Sequence, residues 1–415
     1  MKLPKAHRIA LLFNANKVFD REVIGGIAAY LSSRRASWEL FVEDDFRLRL
    51  AALEHWQGDG IIADFDDPAV VEALSHSRIP VVGVGGSYAN EADYPADVPY
   101  AATDNYKLIN LAYTHLIDVG LRRFALFSLP DSQGNRWAQE REHAFRSLML
   151  RDNMEVEIFR GHGPAATCRD QAAALQIDWL HSLPKPIGII AVTDARARQL
   201  LQACQMANIA VPEQVAVIGI DNDPLARILS STPLTSVIQG TEEIGRTAAH
   251  MLHRMLEGGY LDRKRVLVPP AGINVQSSTS HLPVSNPRVM RARHFIRQHA
   301  CQGIKGDQVA EYVGVSRTTL ESYFQQELAR SVHDEILRFK LDAATGMLAQ
   351  ADCGLAEVAL RCGFTSMQYL LAVFRRELGC TPREYQERVR RGVRPCAGAA
   401  NATNAGTMGL PALHA

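Results

Sequence analysis

The sequence predicts a two-lobed α/β domain followed by a smaller all-α domain, and three patterns in its 415 residues indicate this fold class. From His7 to about Thr279, short apolar runs rich in β-branched residues alternate with amphipathic stretches, as in βαβ units with a parallel sheet. Residues 276–287 are rich in Ser, Thr, Asn and Pro, which is typical of a linker. After this segment the strand pattern ends, and residues 290–390 are predicted to be helical.

Composition places the chain among soluble globular proteins, with 47% hydrophobic and 22% charged residues. No apolar run approaches the roughly 18 residues that span a bilayer. The N-terminus lacks the apolar core and cleavage site of a signal peptide. The seven cysteines are odd in number and contain no CxxC pair, which argues against a disulfide framework or a zinc site. We therefore expect a cytoplasmic protein without a metal or other cofactor.

The first domain is predicted to hold about ten strands, more than one compact sheet usually contains. Two Rossmann-like lobes are therefore expected, and the chain is expected to cross between them near residues 100–104 and 234–239. The predicted strands include 9–15, 38–42, 60–63, 81–84, 123–127, 156–160, 188–192 and 215–220. The predicted helices are 21–33, 48–56, 70–75, 105–119, 139–150, 171–181, 195–207 and 242–257.

Polar side chains follow several predicted strands, at the sheet edge where open α/β sheets bind ligands. Sugar hydroxyls are recognised by carboxylates, amides and arginines, and the apolar face of a sugar ring by an aromatic side chain. The candidate ligand-binding residues from this pattern are Lys17, Phe19, Asp20, Asp64, Asp66, Arg136, Trp137, Arg141, Thr193, Asp194, Asp221 and Asn222. Some have a structural alternative: Asp194 also fits a helix N-cap, and Asp66 with Asp67 a solvated loop.

The same segments resemble a known family, the periplasmic sugar-binding proteins and the effector domains of LacI-type repressors. Residues 217–223 (VIGIDND) resemble that family's strand-end ligand motif, and residues 191–197 (AVTDARA) resemble its preceding motif. The resemblance implies ligand contacts at Lys17, Phe19, Asp64, Arg141, Thr193, Asp221 and Gln239. Gly85 stands where the family often has Asp, and we expect Asp66 or Arg136 to compensate.

The all-α domain contains two segments with the same organisation, residues 307–324 and 355–374. Each has a short helix with a Val-Ala pair, a glycine suited to a sharp turn, a Ser/Thr cap and a second helix that ends in Phe. This is the pattern of two helix-turn-helix units, whose second helices can enter the major groove of DNA. A plain helical bundle is the structural alternative.

Two further local patterns belong to these helices. Thr365 with Gln368, and Thr381 with Glu384, fit the spacing of a capping box at a helix N-terminus. Three phenylalanines are predicted to pack in the core and not to stack on bases. One lies at the end of each helix-turn-helix segment, and one lies in the turn of the second segment. These residues are Phe324, Phe364 and Phe374.

Gly363–Phe364 and residues 374–385 (FRRELGCTPREY) resemble the C-terminal signature of the AraC/XylS regulators. The resemblance implies that one monomer reads DNA with both second helices, in successive major grooves. The implied DNA-binding positions are Arg317, Thr318, Glu321, Ser322, Ser366, Met367, Gln368 and Leu371. Leu370 and Ala372 depart from the family pattern, so the second reader helix is unusually apolar.

Charge is distributed as this assignment requires, although the whole chain is neutral. Between Pro287 and Arg394 there are 17 Lys+Arg and 12 Asp+Glu, and the rest of the chain has the opposite excess. A basic C-terminal third on an acidic body favours nucleic acid binding by the former alone.

An enzyme and a periplasmic transport receptor are the rival functions. The sequence contains no GxGxxG after the first strand and no P-loop, GxSxG or HExxH motif, so catalysis is not expected. The missing signal peptide and the helical C-terminus argue against a transport receptor. A LacI-like repressor, or a regulator that responds to another small sugar, remains the alternative on mechanism.

The order of the two modules, and stretches such as residues 11–17 and 59–67, resemble the xylose-responsive operon regulators of enteric bacteria. The resemblance implies D-xylose as effector, a homodimer, double-stranded DNA as target and activation of transcription with RNA polymerase as partner. The expected domains are a sensor at 1–279, a linker at 280–287, a DNA-binding domain at 288–391 and a disordered tail at 392–415.

Overall fold

The computed structural model describes residues 6–34, 36–42, 50, 56–88, 90–130, 135–161, 169–230, 232–280, 284, 286–350 and 354–390. The chain forms two compact units, Met1–Pro283 and Val284–Ala415. Most of the predicted helix 48–56 and the predicted tail 392–415 lie outside the described residues. No helix in the described ranges is long and apolar enough to cross a membrane.

The first lobe of the first unit is a six-stranded parallel sheet with the order β11-β5-β4-β3-β1-β2. Its strands are β1 (His7–Leu12), β2 (Trp38–Val42), β3 (Gly60–Asp64), β4 (Val81–Gly86), β5 (Tyr100–Thr103) and β11 (Arg265–Val268). Its helices are α1 (Val18–Arg34), α2 (Pro68–Leu74) and α8 (Thr241–Leu256). The central strands β3 and β4 are buried along their whole length, as expected when helices or loops cover both faces of a parallel sheet.

The second lobe is a six-stranded sheet with the order β12-β10-β9-β8-β6-β7, in which only β12 is antiparallel to its neighbour. Its strands are β6 (Phe124–Phe127), β7 (Ile158–Phe159), β8 (Ile187–Ala191), β9 (Val215–Ile220), β10 (Thr235–Ile238) and β12 (Gly272–Asn274). Its helices are α3 (Asn105–Asp118), α4 (Arg136–Arg151), α5 (Arg169–Ser182), α6 (Asp194–Met206) and α7 (Pro224–Leu229).

The predicted two-lobed α/β architecture is confirmed, and both predicted crossings are present, after β5 and after β10. A third crossing, between β11 and β12, was not predicted. These two strands are short, and their residues are mostly half-exposed, so the sequence shows no buried apolar run there. Ser278 and Thr279 were placed in the linker-like segment, but they are buried, and Ser278 Oγ donates to Val217 O at 2.6 Å.

The second unit is entirely helical in the part that the structure describes, as predicted. Its helices are α9 (Pro287–His299), α10 (Gly306–Val313), α11 (Arg317–Leu328), α12 (Val332–Gln350), α13 (Leu355–Arg361), α14 (Met367–Leu378) and α15 (Pro382–Arg390). The long helix α12 contributes Ile336 to a first core, with α9 to α11, and Leu341 to a second, with α13 to α15. The unit therefore consists of two packed halves joined by α12.

A buried cluster of ion pairs joins α9 and α12 in the first half of the second unit. Glu335 and Arg293 are fully buried, and Arg293 Nε lies 2.9 Å from Glu335 Oε1. Arg338 and Arg330 bind the same carboxylate at 2.8 and 3.2 Å. Burial alone raises the pKa of Glu335, but the bonds and charges of Arg338 and Arg293 outweigh burial and hold this pKa at about 2.

Gly363 makes the turn between α13 and α14, and no other residue type fits there. Its φ of 70° lies in the left-handed region, and a Cβ at this position would be 2.5 Å from the carbonyl oxygen of Cys301. Gly314, at the equivalent turn of the first helix-turn-helix between α10 and α11, also has a left-handed φ, of 78°. Both predicted interhelix turns are confirmed.

Candidate functional site

The carboxyl ends of the strands in both lobes face one cleft within the first unit. Thr103, at the end of β5 in the first lobe, donates from Oγ1 to Gln239 Oε1 at the end of β10 in the second, over 3.4 Å. Both residues are buried. Because ligands of open α/β sheets bind at this edge, the cleft is the candidate sugar site.

The first-lobe wall of the cleft carries three predicted residues in contact or close to one another. Lys17 Nζ lies 2.8 Å from Asp64 Oδ2, and the Asp64 side chain is almost fully buried. Asp20 is fully buried, and its Oδ2 accepts from the backbone N–H of Asn14 at 2.5 Å. Asp20 Oδ1 has no hydrogen-bond partner among the described residues. A buried carboxylate oxygen without a donor indicates a place for a hydroxyl group of a ligand.

The second-lobe wall is a network around Arg141, which is almost completely buried. Arg141 donates from Nη2 to Gln239 Oε1 at 3.0 Å, and from Nε to Asn105 Oδ1 at 3.1 Å. Gln239 Nε2 donates to Asp221 Oδ1. Burial raises the pKa of Asp221 to about 6, and the charge of Arg141 opposes this shift. The network thus holds a carboxylate, an amide and a guanidinium at one place, the groups that recognise sugar hydroxyls.

Asp194, Thr193 and Asn222 shape the loop after β9. Thr193 is the N-cap of α6, since its side chain accepts from Arg196 N, so the alternative of Asp194 as N-cap is wrong. Asp194 instead accepts from Ser236 Oγ at 2.6 Å and from Asp223 N at 2.7 Å. Burial and the neighbouring Asp221 charge raise the pKa of Asp194 to about 8. These contacts hold the loop that presents Asp221 to the cleft.

The two candidate aromatic side chains are both half-buried. Phe19 packs against a core of the first lobe and Trp137 against a core of the second. Trp137 is the second residue of α4 in the second lobe, and its ring centroid lies 4.8 Å from the guanidinium carbon of Arg141. Trp137 also reaches Gly86 of the first lobe, where an added Cβ would be 2.9 Å from Trp137 Cβ. The start of α4, which carries this ring, therefore lies against the end of β4 in the first lobe.

Asp66 and Arg136 bind each other, from the first and the second lobe respectively, in a contact that is largely buried. The alternative of a solvated loop at Asp66 and Asp67 is wrong, because Asp67 is the N-cap of α2 and accepts from Ala69 N at 3.1 Å. Burial and the neighbouring Asp64 charge raise the pKa of Asp66 to about 6, and Arg136 opposes this shift.

Sequence reasoning missed two asparagines of the site. Asn105 lies two residues after the end of β5 and binds Arg141, and its position after a strand was a usable signal. Asn274 lies on β12 and donates from Nδ2 to Asn222 Oδ1 at 2.9 Å. No signal could have found Asn274, because β12 itself was not predicted.

We expect sugar affinity to rise with pH between about 6 and 8. Burial and the Asp64 charge raise the pKa of Asp20 to about 7 from its ordinary 3.8, so the ligand-free folded protein favours the protonated group. The contribution of Asp20 to the stability of the folded state is therefore lost as pH rises from 3.8 to about 7. Sugar hydroxyls that donate to the carboxylate favour the ionised form, so binding releases protons. Calorimetric titrations at several pH values measure how the sugar affinity changes with pH.

The expected slope is at most tenfold in the dissociation constant per pH unit for each proton released. Asp20→Asn removes one titrating group and should flatten the profile around pH 7. A wild-type affinity that stays constant or falls over this range would contradict the assignment of buried carboxylates to the site.

The first reader helix, α11, presents a polar surface. Arg317 and Thr318 are exposed, and Arg317 Nη1 lies 3.1 Å from the exposed Asp307, a contact that contributes little to stability. Ser322 is exposed as well. Glu321 is half-buried, and its Oε2 accepts from the backbone N–H of Val332 at 3.0 Å, so it is engaged at the start of α12.

The second reader helix, α14, begins one residue later than the predicted capping box implies. Ser366, and not Thr365, is its N-cap, with Oγ accepting from Tyr369 N at 3.1 Å. The predicted capping box at Thr365 is wrong: Ser366 caps the helix through its hydroxyl group, although Tyr369 stands where a capping box has Glu or Gln. Met367 and Gln368 are exposed, whereas Leu371 is half-buried.

The remaining helix predictions for this unit are confirmed. The capping box of Thr381 and Glu384 is present, with both reciprocal hydrogen bonds. Phe324, Phe364 and Phe374 are buried in the two cores, so none of them is available for base stacking. Leu370, one of the departures from the family pattern, is fully buried as well.

Comparisons with known proteins agree with this architecture. Residues 8–106 match the model of the XylR N-terminal domain, 113–279 that of the periplasmic binding protein-like domain and 309–388 that of the helix-turn-helix domain. The chain is 45% identical to the xylose operon regulatory protein of Escherichia coli K12, over 92% of this chain and 97% of that protein. The counterpart in Haemophilus influenzae is 42% identical, over 92% and 98%.

A solved structure shares the fold along almost the whole chain. It is described as the structure of xylose-binding transcription activator xylR, is 44% identical and superposes with a TM-score of 0.85. The match covers 92% of this chain and 98% of the other. The likeness therefore includes both the cleft-bearing unit and the helical unit.

Proposed function

Because this chain belongs to the family of xylose operon regulatory proteins, we propose that it is a cytoplasmic, D-xylose-dependent DNA-binding activator of transcription. The sensor is residues 1–279 and the DNA-binding domain residues 288–391. The protein acts as a homodimer and recruits RNA polymerase. Its relatives are transcription regulators, and recognition by hydrogen bonding accounts for the carboxylates of the cleft without catalysis.

One observation carries the proposal: a buried polar cleft and two helix-turn-helix units occur in a single chain. In the cleft, Asp20 Oδ1 lacks a donor among the described residues, and Asp221 is held by Gln239. Such a site is suited to a small neutral ligand with several hydroxyl groups. The helical unit supplies exposed polar side chains at the starts of both reader helices, as DNA recognition requires.

The proposed sugar contacts are divided between the lobes. Lys17, Asp20 and Asp64 bind hydroxyls from the first lobe, and Arg141, Asp221 and Gln239 bind hydroxyls from the second. The Trp137 ring lies against the apolar face of the sugar. We place Phe19, Thr193, Asp194 and Asn222 in the same site, next to these groups.

A thermal-shift panel of pentoses and hexoses on the full-length protein tests the ligand. A ligand that binds only the folded state stabilises it by about 2.7 kcal/mol at 100 times its dissociation constant. D-xylose should raise the melting temperature of the first unit more than any other sugar in the panel. A larger shift with a hexose would contradict the assignment of D-xylose, and no shift with any sugar would contradict a sugar sensor.

We expect the DNA half-site to be asymmetric. Arg317 and Thr318 make polar base contacts that discriminate by about 1–3 kcal/mol each, whereas Met367 beside Gln368 mainly favours thymine methyl groups and adenine. The first segment should be sharply specified, and the second, roughly 10 bp away, should be looser and rich in A and T.

Selection of full-length protein on random DNA measures this directly. The control is Gln326→Ala, which should select the same DNA as wild type. Gln326 is exposed on the first reader helix but lies two turns from its start. Equal information in both segments, or a G/C-rich second segment, would contradict the assignment of Met367 and Gln368 as readers.

A further inference from the structure

Arg136 is a residue of the second lobe whose charged group is bound by the first. It is the first residue of α4, and its guanidinium donates from Nη1 to Ser87 O at 2.7 Å and from Nη2 to Gly86 O at 3.1 Å. The same Nη2 binds the Asp66 carboxylate, and the group lies 3.6 Å from the ring centroid of Tyr88. Four partners from the end of β4 and the loop after β3 thus surround one side chain of the opposite lobe.

The Asp66 carboxylate is already held by hydrogen bonds from the protein itself. Asp66 Oδ2 accepts from Gly86 N at 2.8 Å, and Asp66 N donates to Asp64 Oδ1 at 3.0 Å. Each oxygen of Asp66 therefore already accepts a hydrogen bond from the protein. The side chains of Arg136 and Asp66 are only 20% and 10% exposed, so the pair is largely removed from water and little screened by salt.

Gly86 allows the two lobes to come this close. A Cβ at Gly86 would be 2.9 Å from Trp137 Cβ, 3.1 Å from Asn105 Nδ2 and 3.4 Å from Trp137 Cα. Trp137 Cα is a main-chain atom of α4, and Cβ is bonded directly to it. Neither atom can move unless the start of this helix moves as well. A side chain at position 86 therefore pushes the second lobe away from β4.

We propose that Arg136 is a positioning residue, which clasps the two lobes through Asp66 and the carbonyl groups of Gly86 and Ser87, and does not itself select the sugar. The inference rests on the proposed function, because it concerns how the same cleft is held ready for its ligand. The sugar is bound by the other cleft residues when the lobes are together. The apparent dissociation constant then equals the intrinsic constant divided by the fraction of molecules with the lobes clasped.

This relation separates a clasp from a ligand contact. A clasp alters only the clasped fraction, so its loss weakens every sugar by the same factor and leaves the ranking of sugars unchanged. Loss of a side chain that touches the ligand weakens most the sugars whose hydroxyl groups it binds, and so changes the ranking.

The experiment compares full-length wild type with Arg136→Gln, the double variant Arg136→Gln/Asp66→Asn and Gly86→Ala. The double variant avoids leaving a buried carboxylate unpaired, and Gly86→Ala separates the lobes while both charged residues remain in the chain. Arg151→Gln is the matched control, because Arg151 ends the same helix and forms an ion pair with its neighbour Asp152 that is half-exposed to solvent. Calorimetry measures the affinity for D-xylose and for two weaker pentoses.

We expect all three clasp variants to lose about tenfold or more in affinity, by one common factor for each variant across the three pentoses. Arg151→Gln should bind like wild type. A loss that differs among the pentoses would overturn the proposal by making Arg136 a sugar contact. Unchanged affinity in the folded Arg136→Gln and Gly86→Ala variants would overturn it as well.

Hydrogen exchange of the ligand-free proteins tests the clasp even if the sugar assignment fails. Peptides covering residues 83–88 and 135–141 should lose protection in the clasp variants and keep it in Arg151→Gln. If no pentose binds wild type, the proposed function fails, while this loss of protection still supports the clasp. Equal protection in all proteins would overturn the clasp whatever the sugar.

Discussion

Asp221→Ala is expected to lower the affinity for D-xylose by a factor of about 30 to 1000. The carboxylate follows the buried strand β9 and is held in the cleft by Gln239. A buried carboxylate that accepts two hydroxyl hydrogen bonds contributes on the order of 2–4 kcal/mol to binding, which corresponds to this range. Calorimetric titration of the full-length variant measures the loss, and its DNA binding without sugar should remain.

The control is Asp262→Ala. Asp262 is an exposed residue of the same unit that lies before β11, and not after the carboxyl end of a strand. It should bind D-xylose like wild type. Circular dichroism must show that Asp221→Ala is folded, because Arg141 loses a charge partner in this variant. Unchanged sugar affinity in a folded Asp221→Ala protein would remove Asp221 from the site.

Glu335→Ala is expected to destabilise the helical unit by about 3–5 kcal/mol, because it leaves the guanidinium of Arg293 buried without its carboxylate. The pKa of Glu335, about 2, lies below its ordinary 4.5, so the carboxylate stabilises the folded state above pH 4.5. This stabilisation is lost as pH falls towards 2. Chemical denaturation at pH 7 and pH 3, followed by helix content, measures both effects.

Glu387→Ala is the matched control, since Glu387 also forms a helical ion pair, with Arg383 at 3.6 Å, but both side chains are more than half exposed. Such a pair contributes about 0–1 kcal/mol. If Glu335→Ala costs no more than Glu387→Ala, the buried cluster does not hold the first half of the unit together.

Much of the cleft could be predicted because each strand carries its own signal. A buried run such as residues 215–220 predicts a strand, and the polar residues after it must lie at the sheet edge. That reasoning brought Lys17, Asp64 and Asp221 to one place without knowledge of their contacts, and the family resemblance added Gln239. It required only that the carboxyl ends of parallel strands lie at one edge of a sheet.

The contacts between the lobes could not be predicted in the same way. Arg136 and Asp66 are 70 residues apart, and each was interpreted as a sugar ligand because strand ends and helix starts look alike whether they bind a ligand or each other. The pair forms only because Gly86 lets α4 approach β4, which no local pattern encodes. Likewise, two adjacent hydroxyl residues, Thr365 and Ser366, left the start of α14 uncertain by one position.

The central claim is that one chain couples sugar binding to DNA binding, and a fluorescence-anisotropy titration of labelled, selected DNA tests it most directly. Full-length wild type and Asp221→Ala are each titrated with and without saturating D-xylose. Coupling between two sites typically changes affinity by about 5- to 150-fold, so D-xylose should change the DNA affinity of wild type within this range. It should leave that of Asp221→Ala unchanged. Identical DNA affinity of wild type with and without D-xylose, when calorimetry shows that the sugar is bound, would contradict the claim.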